Sequence, residues 1–521
     1  MNMVSVEQMR ELDRQTIEEY GVPGEILMDR AGYGVARAVE SLAQLSGFGD
    51  TPVLLLAGRG NNGGDAFVAA RYLAEWGLPV GVWMTGERKA VRGDARAHLN
   101  RLLEAGIAVG ELLTRDECDE LAAGAGDYGV VVDGVLGTGT RGPARGVAAG
   151  AILCINDLGC DGPVVSIDVP SGLNADTGEP FGDTVRADLT VTMGFPKRGL
   201  AQPAALDFAG VVDVVDIGIP HELAERVTAD EELITAGDLQ PLLPRRARAT
   251  HKGSYGRVLL IGGAPGFAGA IGLAAGAALR SGAGLVTVLA PEPVAATVAG
   301  MAPEAMVHPV DATSEGSLSE SSLFRWEEKL SGYDAVLVGP GMTRHASTCR
   351  IVERLLATVT GPLVVDADAL NVMENNAAGF RETKAGVVLT PHPGEAGRLL
   401  GVGAGDVQTD RRRTARELAA ASGATVLLKG AGTVIAEEGR ALSVNLTGNP
   451  GMATAGAGDV LGGLLAGLAA QGPAPYDAAR LAAFLHGCAG DEAAWRGAQA
   501  TLTARDLIDF LPVAFRRVTI R

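Results

Sequence analysis

Polar residues that could do chemistry follow a predicted strand in the first half of the chain. The apolar run TPVLLLAG leads into a glycine-rich turn, and the residues after the turn have the composition of a helix. Backbone amides at a helix N-terminus attract anions such as phosphate, but such a turn can also serve only as a tight bend and a helix cap. The turn comprises Asn61, Asn62, Gly63, Gly64 and Asp65.

Two more predicted strands in this half end in carboxylates. Asp133 lies near the end of one strand, and Asp168 ends the next, with Ser171 just beyond it. A single Asp at such a position can merely cap a loop, but ligands in open α/β sheets bind at the carboxyl ends of the strands. Three polar strand ends on one predicted face therefore favour a shared binding crevice. The loop after Asp133 adds Gly137, Thr138, Gly139, Thr140, Arg141, Gly142 and Pro143.

The second half of the chain has a run of small residues, NPGMATAGAGD, at the predicted start of a helix. Its amides could hold phosphate oxygens while Asp459 acts as a base toward a substrate hydroxyl, or Asp459 could be only an acid that interacts with the helix dipole. Lys429, in KGAGT, could lie beside nucleotide phosphates or be a solvated cation at a strand end. His392, between two prolines, could contact a ligand or be a loop histidine bonded to the backbone.

The elements that must position these residues are short β-branched runs, which alternate with stretches of Ala and Leu at helical spacing. This alternation is typical of parallel sheets covered by helices, and it predicts two doubly wound α/β domains. The predicted strands span residues 51–58, 79–86, 128–135, 162–169, 187–194 and 211–219 in the first half, and 256–263, 284–291, 333–341, 361–370, 386–394 and 424–432 in the second.

A pause in the alternation predicts the domain boundary. Residues 220–255 have no strong strand pattern and include the basic, proline-flanked stretch PLLPRRARATHKG. We therefore predict one domain over residues 1–225 and another over residues 230–521. The two halves share no motifs, which indicates two different folds rather than a duplication.

The composition excludes several functional classes. The 521 residues carry 44 Lys and Arg against 62 Asp and Glu, a net charge of −18, which argues against a nucleic-acid or anionic-membrane surface. The five cysteines form no C-x-x-C pair, so neither a disulfide framework nor a zinc site is supported. The charged N-terminus lacks the apolar segment of a signal peptide, and Arg280 and Asp459 interrupt the most hydrophobic windows. We therefore expect a soluble cytoplasmic protein.

Four motifs of the first half, NNGGDAFVAARYL, VVDGVLGTGTRGP, SIDVPSGLNADTG and TMGFPKRGLAQP, resemble the NAD(P)H-hydrate epimerase family. The resemblance implies a Rossmann-like domain that interconverts the R and S forms of hydrated NADH and NADPH (NADHX and NADPHX) at C6. Residues 61–65 and 137–143 would hold the hydrated dinucleotide, and Asp168 would contact the reacting ring. Asp168 is our candidate acid/base group, since reversing the configuration requires proton movement close to C6.

The same resemblance implies a metal ion in the first half. Asn62, Asp133 and Ser171 would offer oxygens to a potassium ion, and oxygen ligation suits a hard cation. The chemical route of epimerisation stays open between ring opening and the loss and return of water.

In the second half, GAGD before an Ala/Gly/Leu helix resembles the ribokinase-like superfamily. Together with GGAPGFAGA, GPGM, DADAL, TPHPGE and KGAGT, it resembles the ADP- or ATP-dependent NAD(P)H-hydrate dehydratases. The implied reaction phosphorylates the C6 hydroxyl and then eliminates phosphate to restore the nicotinamide ring. We infer a magnesium ion from this phosphoryl chemistry, since no dedicated ligand cluster stands out in the sequence. Contacts to the hydrate would come from Ala270, Gly341, His392 and Asp459, and contacts to the nucleotide from Lys429, Gly430, Ala431, Gly432, Thr433 and Gly458.

Both halves thus lead to one hypothesis, a bifunctional nicotinamide-nucleotide repair enzyme that acts on both epimers. Because α/β enzymes of this kind are commonly symmetric oligomers, we also expect a homo-oligomer. One alternative is a ribokinase-like small-molecule kinase with an accessory Rossmann-like domain. Another is a dinucleotide-binding scaffold without catalysis. The motifs leave open the choice between ADP and ATP and between NADHX and NADPHX.

Overall fold

The strands and helices follow the predicted alternation. The computed structural model describes residues 1–124, 128–243 and 245–519, so Pro244 of the basic stretch lies outside the described residues. The strands are β1 Val53–Ala57, β2 Val80–Thr85, β3 Val109–Leu112, β4 Val130–Gly134, β5 Val164–Ile167, β6 Leu189–Met193, β7 Val211–Val215, β8 Glu231–Leu233, β9 Arg257–Ile261, β10 Leu285–Pro291, β11 Met306–Val310, β12 Ala335–Val338, β13 Pro362–Val365, β14 Gly386–Leu389, β15 Thr425–Leu428, β16 Thr433–Ala436 and β17 Leu442–Asn445.

The helices lie between these strands and at both ends of the chain. The α-helices are α1 Val6–Glu18, α2 Gly24–Leu45, α3 Asn61–Glu75, α4 Gly93–Glu104, α5 Arg115–Gly124, α6 Val147–Leu158, α7 Leu206–Ala209, α8 His221–Ala224, α9 Ala236–Leu239, α10 Ala268–Arg280, α11 Glu292–Met301, α12 Ser321–Phe324, α13 Glu327–Leu330, α14 Ala346–Thr358, α15 Asp368–Asn371, α16 Pro393–Leu400, α17 Ala404–Thr409, α18 Arg411–Ser422, α19 Ala457–Ala469, α20 Pro475–Arg496 and α21 Ala504–Thr519. The 3-10 helices are Arg88–Ala90, Arg198–Ala201, Pro203–Ala205, Gln240–Leu242, Lys252–Tyr255, Ala377–Phe380, Pro450–Met452 and Gln499–Thr501.

The chain divides into two compact units, Met1–Ala229 and Asp230–Arg521. The first unit contains a seven-stranded sheet in the order β3-β2-β1-β4-β5-β6-β7, and all of its strand pairs are parallel. Every residue of β1, β4, β5 and β6 is buried, as expected for a parallel sheet with helices on both faces. The strand order reverses between β1 and β4, which is where ligands bind in such folds.

The second unit contains a ten-stranded sheet in the order β11-β10-β9-β12-β13-β14-β15-β16-β17-β8. Its pairs are parallel from β11 to β15, and β16 and β17 then form antiparallel pairs beside β15. The two sheets confirm the predicted class of two doubly wound α/β domains with different strand orders.

The predicted strands are all present, and the structure adds β3, β8, β11, β16 and β17. Residues 220–255, which have no strong strand pattern, nevertheless contain the three-residue strand β8, which pairs in parallel with β17. The sequence of β8 is the short and polar EEL, and it lies at the edge of the sheet. A short strand at the edge of a sheet can be polar, because it is less covered than a central strand. Pairing with β17, rather than a local apolar pattern, therefore determines the conformation of β8.

Small residues allow α19, the helix that follows the GAG run, to pack closely on α10. Both helices belong to the apolar core of the second unit. A Cβ on Gly463 would overlap the main-chain carbonyl oxygen of Ala274 in α10, and a backbone atom cannot move aside as a side chain can. The close contact between Gly463 and the backbone of Ala274 therefore sets the distance between α19 and α10.

The variant Gly463→Ala is expected to lower the free energy of unfolding of the second unit by about 1–3 kcal/mol, because overpacking forces helix displacement. Urea unfolding followed by circular dichroism measures the change. Gly300, in α11, has open space where a Cβ would lie, so Gly300→Ala is the matched control and should be neutral or slightly stabilising. Equal stability of the two variants would contradict the close contact.

In the part of the chain that the structure describes, no helix is both long enough and apolar enough to cross a bilayer.

Candidate active sites

In the first unit, the glycine-rich turn after β1 and the loop after β4 lie at the carboxyl edge of the sheet. The turn opens α3, whose N-cap is Gly60. A Cβ on Gly63 would overlap the carbonyl oxygen of Gly58, and a Cβ on Gly58 would overlap that of Val135. Only glycine lets these backbone segments approach so closely. Of the predicted turn residues, Asn61 is exposed, whereas Asn62, Gly63, Gly64 and Asp65 are buried.

Asn62, Asp133 and Ser171 form one hydrogen-bonded cluster at this edge. Asp133 is fully buried, and its carboxylate accepts the hydroxyl of Ser171 at 2.5 Å and the amide of Ser171 at 2.8 Å. The side-chain amide of Asn62 donates to the carbonyl oxygens of Leu136 and Ile167 at 2.8 and 3.0 Å. The hydroxyl of Ser171 in turn accepts the amide of Leu136 at 2.8 Å. The structure thus brings together the three residues predicted to offer oxygens to potassium.

The donor chemistry of this cluster fits a hard cation. Because the nitrogen of the Asn62 amide faces two carbonyls, its Oδ1 faces the loop, and a Cβ on Gly137 would lie 3.0 Å from that oxygen. Among the described residues, no group of three or more His, Cys, Asp or Glu side chains could hold a metal ion. The amide oxygen of Asn62, the hydroxyl of Ser171 and the carboxylate of Asp133 are the kinds of oxygen ligand that a hard cation prefers.

The loop of residues 137–143 closes on itself beside this cluster. Thr140 bonds back to the carbonyl oxygen of Gly137 through its hydroxyl at 2.9 Å and its amide at 3.1 Å. Arg10, from α1, reaches the carbonyl oxygen of Thr138 at 3.4 Å. Gly142 has a φ of +86°. Exposed positions of the loop are Gly139, Arg141 and Pro143.

Asp168 is held in a left-handed backbone conformation at the end of β5. Its φ is +65°, a region that Asp and Asn enter more readily than most residues. Its carboxylate accepts the Lys197 ammonium group at 2.5 Å and the Thr192 hydroxyl at 3.1 Å. Lys197 is only 1% exposed and also donates to the carbonyl oxygen of Met193 at 2.9 Å. A lysine buried to this extent and paired with a single carboxylate is typical of a site that handles charge.

Two more carboxyl groups share this environment. Burial, with Asp168 and Asp13 nearby, raises the pKa of Asp65 well above its usual value, although Lys197 opposes the shift. Burial also raises the pKa of Asp13, in α1, to about 6, with Lys197 lowering it and Asp168 raising it. Sequence reasoning missed Lys197 and Asp13, although Lys197 lies in the motif TMGFPKRGL.

In the second unit, Asp459 lies in the first turn of α19, whose N-cap is Gly456 with a φ of +88°. A Cβ on Gly458 would lie 3.4 Å from Nζ of Lys429, and one on Gly462 would lie 3.1 Å from Oδ2 of Asp366. This face of α19 therefore borders charged residues that follow β13 and β15.

Lys429 is the centre of a buried ion network. Its ammonium group lies 2.8 Å from Oδ1 of Asp366 and 3.7 Å from Oε2 of Glu395. Burial lowers the pKa of Lys429, but the two carboxylates outweigh it, so its pKa lies above the usual value. Sequence reasoning missed Asp366 and Glu395, although both stand in quoted motifs, DADAL and TPHPGE.

Burial raises the pKa of two acids beside this network to near neutrality. Burial and the neighbouring Asp366 raise the pKa of Asp459 to about 7, while Lys429 opposes the shift. Burial raises the pKa of Glu395 to about 7 as well, again with Lys429 opposing. An acid with a pKa near the working pH can both take up and release a proton, so Asp459 is suited to general-base chemistry.

His392 caps the helix α16. Its Nδ1 accepts the amide of Gly394 at 3.0 Å, and its own amide donates to Glu395 at 2.8 Å. Burial and the neighbouring Lys429 lower the pKa of His392. The backbone bond expected of a loop histidine is thus present, and the same ring stands beside the ion network through Glu395.

The predicted hydrate contacts Ala270 and Gly341 lie next to each other. A Cβ on Gly341, which has a φ of +64°, would be 3.3 Å from the Cβ of Ala270 at the start of α10. The loop that contains Gly341 is fixed further along, because the amide of Thr343 donates to Asp368 at 2.8 Å.

The predicted nucleotide loop, residues 429–433, contains two left-handed glycines. Gly430 has a φ of +137° and Gly432 of +60°, and the hydroxyl of Thr433 donates to the carbonyl oxygen of Gly430 at 2.8 Å. Arg411, at the start of α18, donates to the carbonyl oxygen of Lys429 at 3.1 Å. Ala431 completes the loop and is exposed.

These two clusters of ion-paired carboxylates, each at the carboxyl ends of parallel strands, define an α/β enzyme with two separate centres. The family model described as YjeF-related protein N-terminus matches residues 24–199, and the model described as NAD(P)H-hydrate dehydratase matches residues 258–513.

Relatives match the chain over its whole length. The protein named Bifunctional NAD(P)H-hydrate repair enzyme Nnr from Moorella thermoacetica is 42% identical over 99% of this chain and 97% of its own length. The protein of the same name from Thermofilum pendens is 39% identical over 99% and 96%. The ADP/ATP-dependent NAD(P)H-hydrate dehydratase from Bacillus subtilis, co-crystallized with ATP/Mg²⁺, is 32% identical over 55% of this chain and 98% of its own, with a TM-score of 0.48. The chain belongs to the family of bifunctional NAD(P)H-hydrate repair enzymes.

Proposed function

We propose that the chain repairs NADHX and NADPHX in two steps, with epimerisation in the first unit and nucleotide-dependent dehydration in the second. The observation that carries the proposal is the presence, in each unit, of a lysine paired with a carboxylate at the carboxyl edge of the sheet: Lys197 is fully buried, and Lys429 is partly exposed but pairs with the buried Asp366. Family membership supplies the substrate class.

In the first unit, Asp168 acts as the acid/base group at C6. Lys197 and Thr192 hold its carboxylate in one orientation, and the left-handed backbone places it beyond the end of β5. Residues 61–65 and 137–143 bind the hydrated dinucleotide, because their backbone turns border the same edge. Asn62, Asp133 and Ser171 would hold a potassium ion, which would supply fixed positive charge beside the turn.

In the second unit, Asp459 removes the proton from the C6 hydroxyl. The C6 oxygen then bonds to the terminal phosphorus of ADP or ATP as the bond from that phosphorus to the bridging oxygen breaks, which releases AMP or ADP. Phosphate then leaves with the electron pair of the C6–O bond while C5 loses a proton, and the C5=C6 double bond of the ring is restored. Hydroxide is a poor leaving group and phosphate a good one, which is why phosphorylation precedes elimination. Lys429 and the loop of residues 430–433, with Gly458, receive the nucleotide phosphates.

Ala270, Gly341 and His392 contact the hydrate. Asp366 and Glu395 are buried oxygen donors near Lys429, and they fit a magnesium ion held together with nucleotide phosphates. Magnesium, when bound, neutralises charge on the phosphoryl group. We further propose a cytoplasmic homo-oligomer, and light scattering of the purified chain measures its size.

The proposal is tested with a chemically prepared mixture of both epimers. The chain with ADP or ATP should restore the near-ultraviolet absorbance of the dihydronicotinamide ring from the whole mixture. Without nucleotide, R-to-S exchange should continue and the absorbance should not return. ADP release with a sugar or a hydroxymethylpyrimidine, and none with the hydrates, would instead favour a small-molecule kinase.

The dehydratase should depend on pH through Asp459. Because the pKa of Asp459 is raised to about 7, the carboxylate fraction grows as the pH rises through that value. A base must be ionised, so kcat/KM for the S hydrate should rise between about pH 6 and pH 8 and then level off. Initial rates in buffers of constant ionic strength measure the profile, and a rate that falls across this range would contradict the assignment.

A further inference from the structure

Helix α1 packs over the epimerase site although it precedes every strand. The segment before it pairs with the segment after β6, since the amide of Val4 donates to the carbonyl oxygen of Pro196 at 3.0 Å and Val4 bridges to Lys197. Met9 then lies against Gly194, where a Cβ would be 3.0 Å from the Met9 methyl group. Arg10 reaches the loop of residues 137–143. The N-terminal segment and α1 thus reach from Lys197 to the loop of residues 137–143.

Asp13 lies on the same face of α1. It follows Met9 by four residues and Arg10 by three, and residues at these spacings lie one above another on a helix. Met9 and Thr16, which flank it on this face, are buried, and Asp13 itself is partly exposed. The charged groups that face it from the packed elements are Asp65 in α3, Asp168 after β5 and Lys197 after β6.

We propose that Asp13 is the second proton-carrying carboxyl group of the epimerase and works opposite Asp168. This inference rests on the proposed epimerisation. Among the acids of this cluster, Asp65 is 7% exposed, whereas Asp13 retains contact with solvent and can exchange its proton between turnovers.

Epimerisation at C6 needs one proton donor and one proton acceptor in either route. If water is lost, Asp13 gives a proton to the hydroxyl as the C6–O bond breaks, and the nitrogen lone pair forms a C=N bond. Water then adds from the other face and gives its proton to Asp168, while the C=N electron pair returns to nitrogen.

If the ring opens instead, Asp168 takes the hydroxyl proton, the C6–N bond breaks to give an aldehyde at C6, and Asp13 protonates the nitrogen. Closing on the other face reverses these transfers.

The test uses the full-length chain and the variants Asp13→Asn and Asp13→Glu, with Glu7→Gln as a control on the exposed side of α1. R-to-S exchange is followed by NMR at several pH values. Asp13→Asn should lose at least about 100-fold in kcat with little change in KM, and Asp13→Glu should recover part of the rate. Since burial raises the pKa of Asp13 to about 6, the wild-type rate should fall above that pH, and this limb should be absent in Asp13→Asn.

Each outcome decides a separate question. If the wild-type chain shows no exchange, the proposed epimerase function fails. If the wild type exchanges the epimers and Asp13→Asn keeps its rate and pH profile, the role of Asp13 is wrong. Loss of rate with a raised KM in both Asp13 variants would also overturn it, because that result indicates a structural role.

Discussion

Replacing Asp459 with Asn is expected to abolish dehydration of the S hydrate while R-to-S exchange continues. An amide has the size of the carboxylate but cannot take the proton of the C6 hydroxyl, so a loss of about 10²–10⁴-fold in kcat is expected. Exchange should continue because Asp459 lies in the second unit, Asp230–Arg521, whereas the proposed epimerase site lies in the first. Absorbance recovery from the S hydrate with ADP or ATP measures dehydration, and NMR of the epimer mixture measures exchange.

The control is Asp477→Asn. Asp477 occupies the third position of α20, as Asp459 does in α19, and both acids lie in the first turn of their helix. If Asp459 interacted only with the helix dipole, the two variants would lose a similar, small amount of stability and neither would lose activity. Dehydration that survives in Asp459→Asn would therefore support the purely structural role.

Asp168→Asn is expected to have the reverse effect: epimerisation is lost by at least about 100-fold and dehydration of the pure S hydrate continues. Asn tolerates the φ of +65° at this position as Asp does, so the variant isolates the charge from the backbone conformation. It also leaves the buried Lys197 without its carboxylate partner at 2.5 Å.

The control for this variant is Asp161→Asn. Asp161 is exposed and precedes β5, so it lies at the opposite end of the strand from Asp168. It should leave both activities unchanged. Exchange at the wild-type rate in Asp168→Asn would show that another group handles the proton at C6.

The sequence predicts the buried parallel strands of each sheet and misses three of the four edge strands, together with the antiparallel strands β16 and β17. Buried strands such as β1 and β12 are runs of apolar residues, because both faces of a parallel sheet are covered. β3 and β11 lie at sheet edges, and β8 does too, with the sequences VGEL, MVHPV and EEL. Their conformation depends on a neighbouring strand distant in sequence, which no local pattern reveals.

The candidate sites divide in the same way. Motifs locate the loops, since glycine and polar residues after a strand are visible in the sequence. Which side chain turns toward the site depends on backbone angles, such as the φ of +50° at Ala367 between Asp366 and Asp368. The partners of Lys429 and Asp168 therefore emerge only from the structure, and Asp13 emerges only because α1 returns to the segment after β6.

The backbone of Asp168 also limits how this position can vary during evolution. Among residues that enter the left-handed region with little strain, Asp alone carries a negative charge, since Gly and Asn are neutral. Glu would keep the charge but lose the tolerance for a φ of +65°. A lineage that abandons epimerisation can therefore drift to Asn or Gly here, whereas one that retains it has almost no intermediate substitutions to explore.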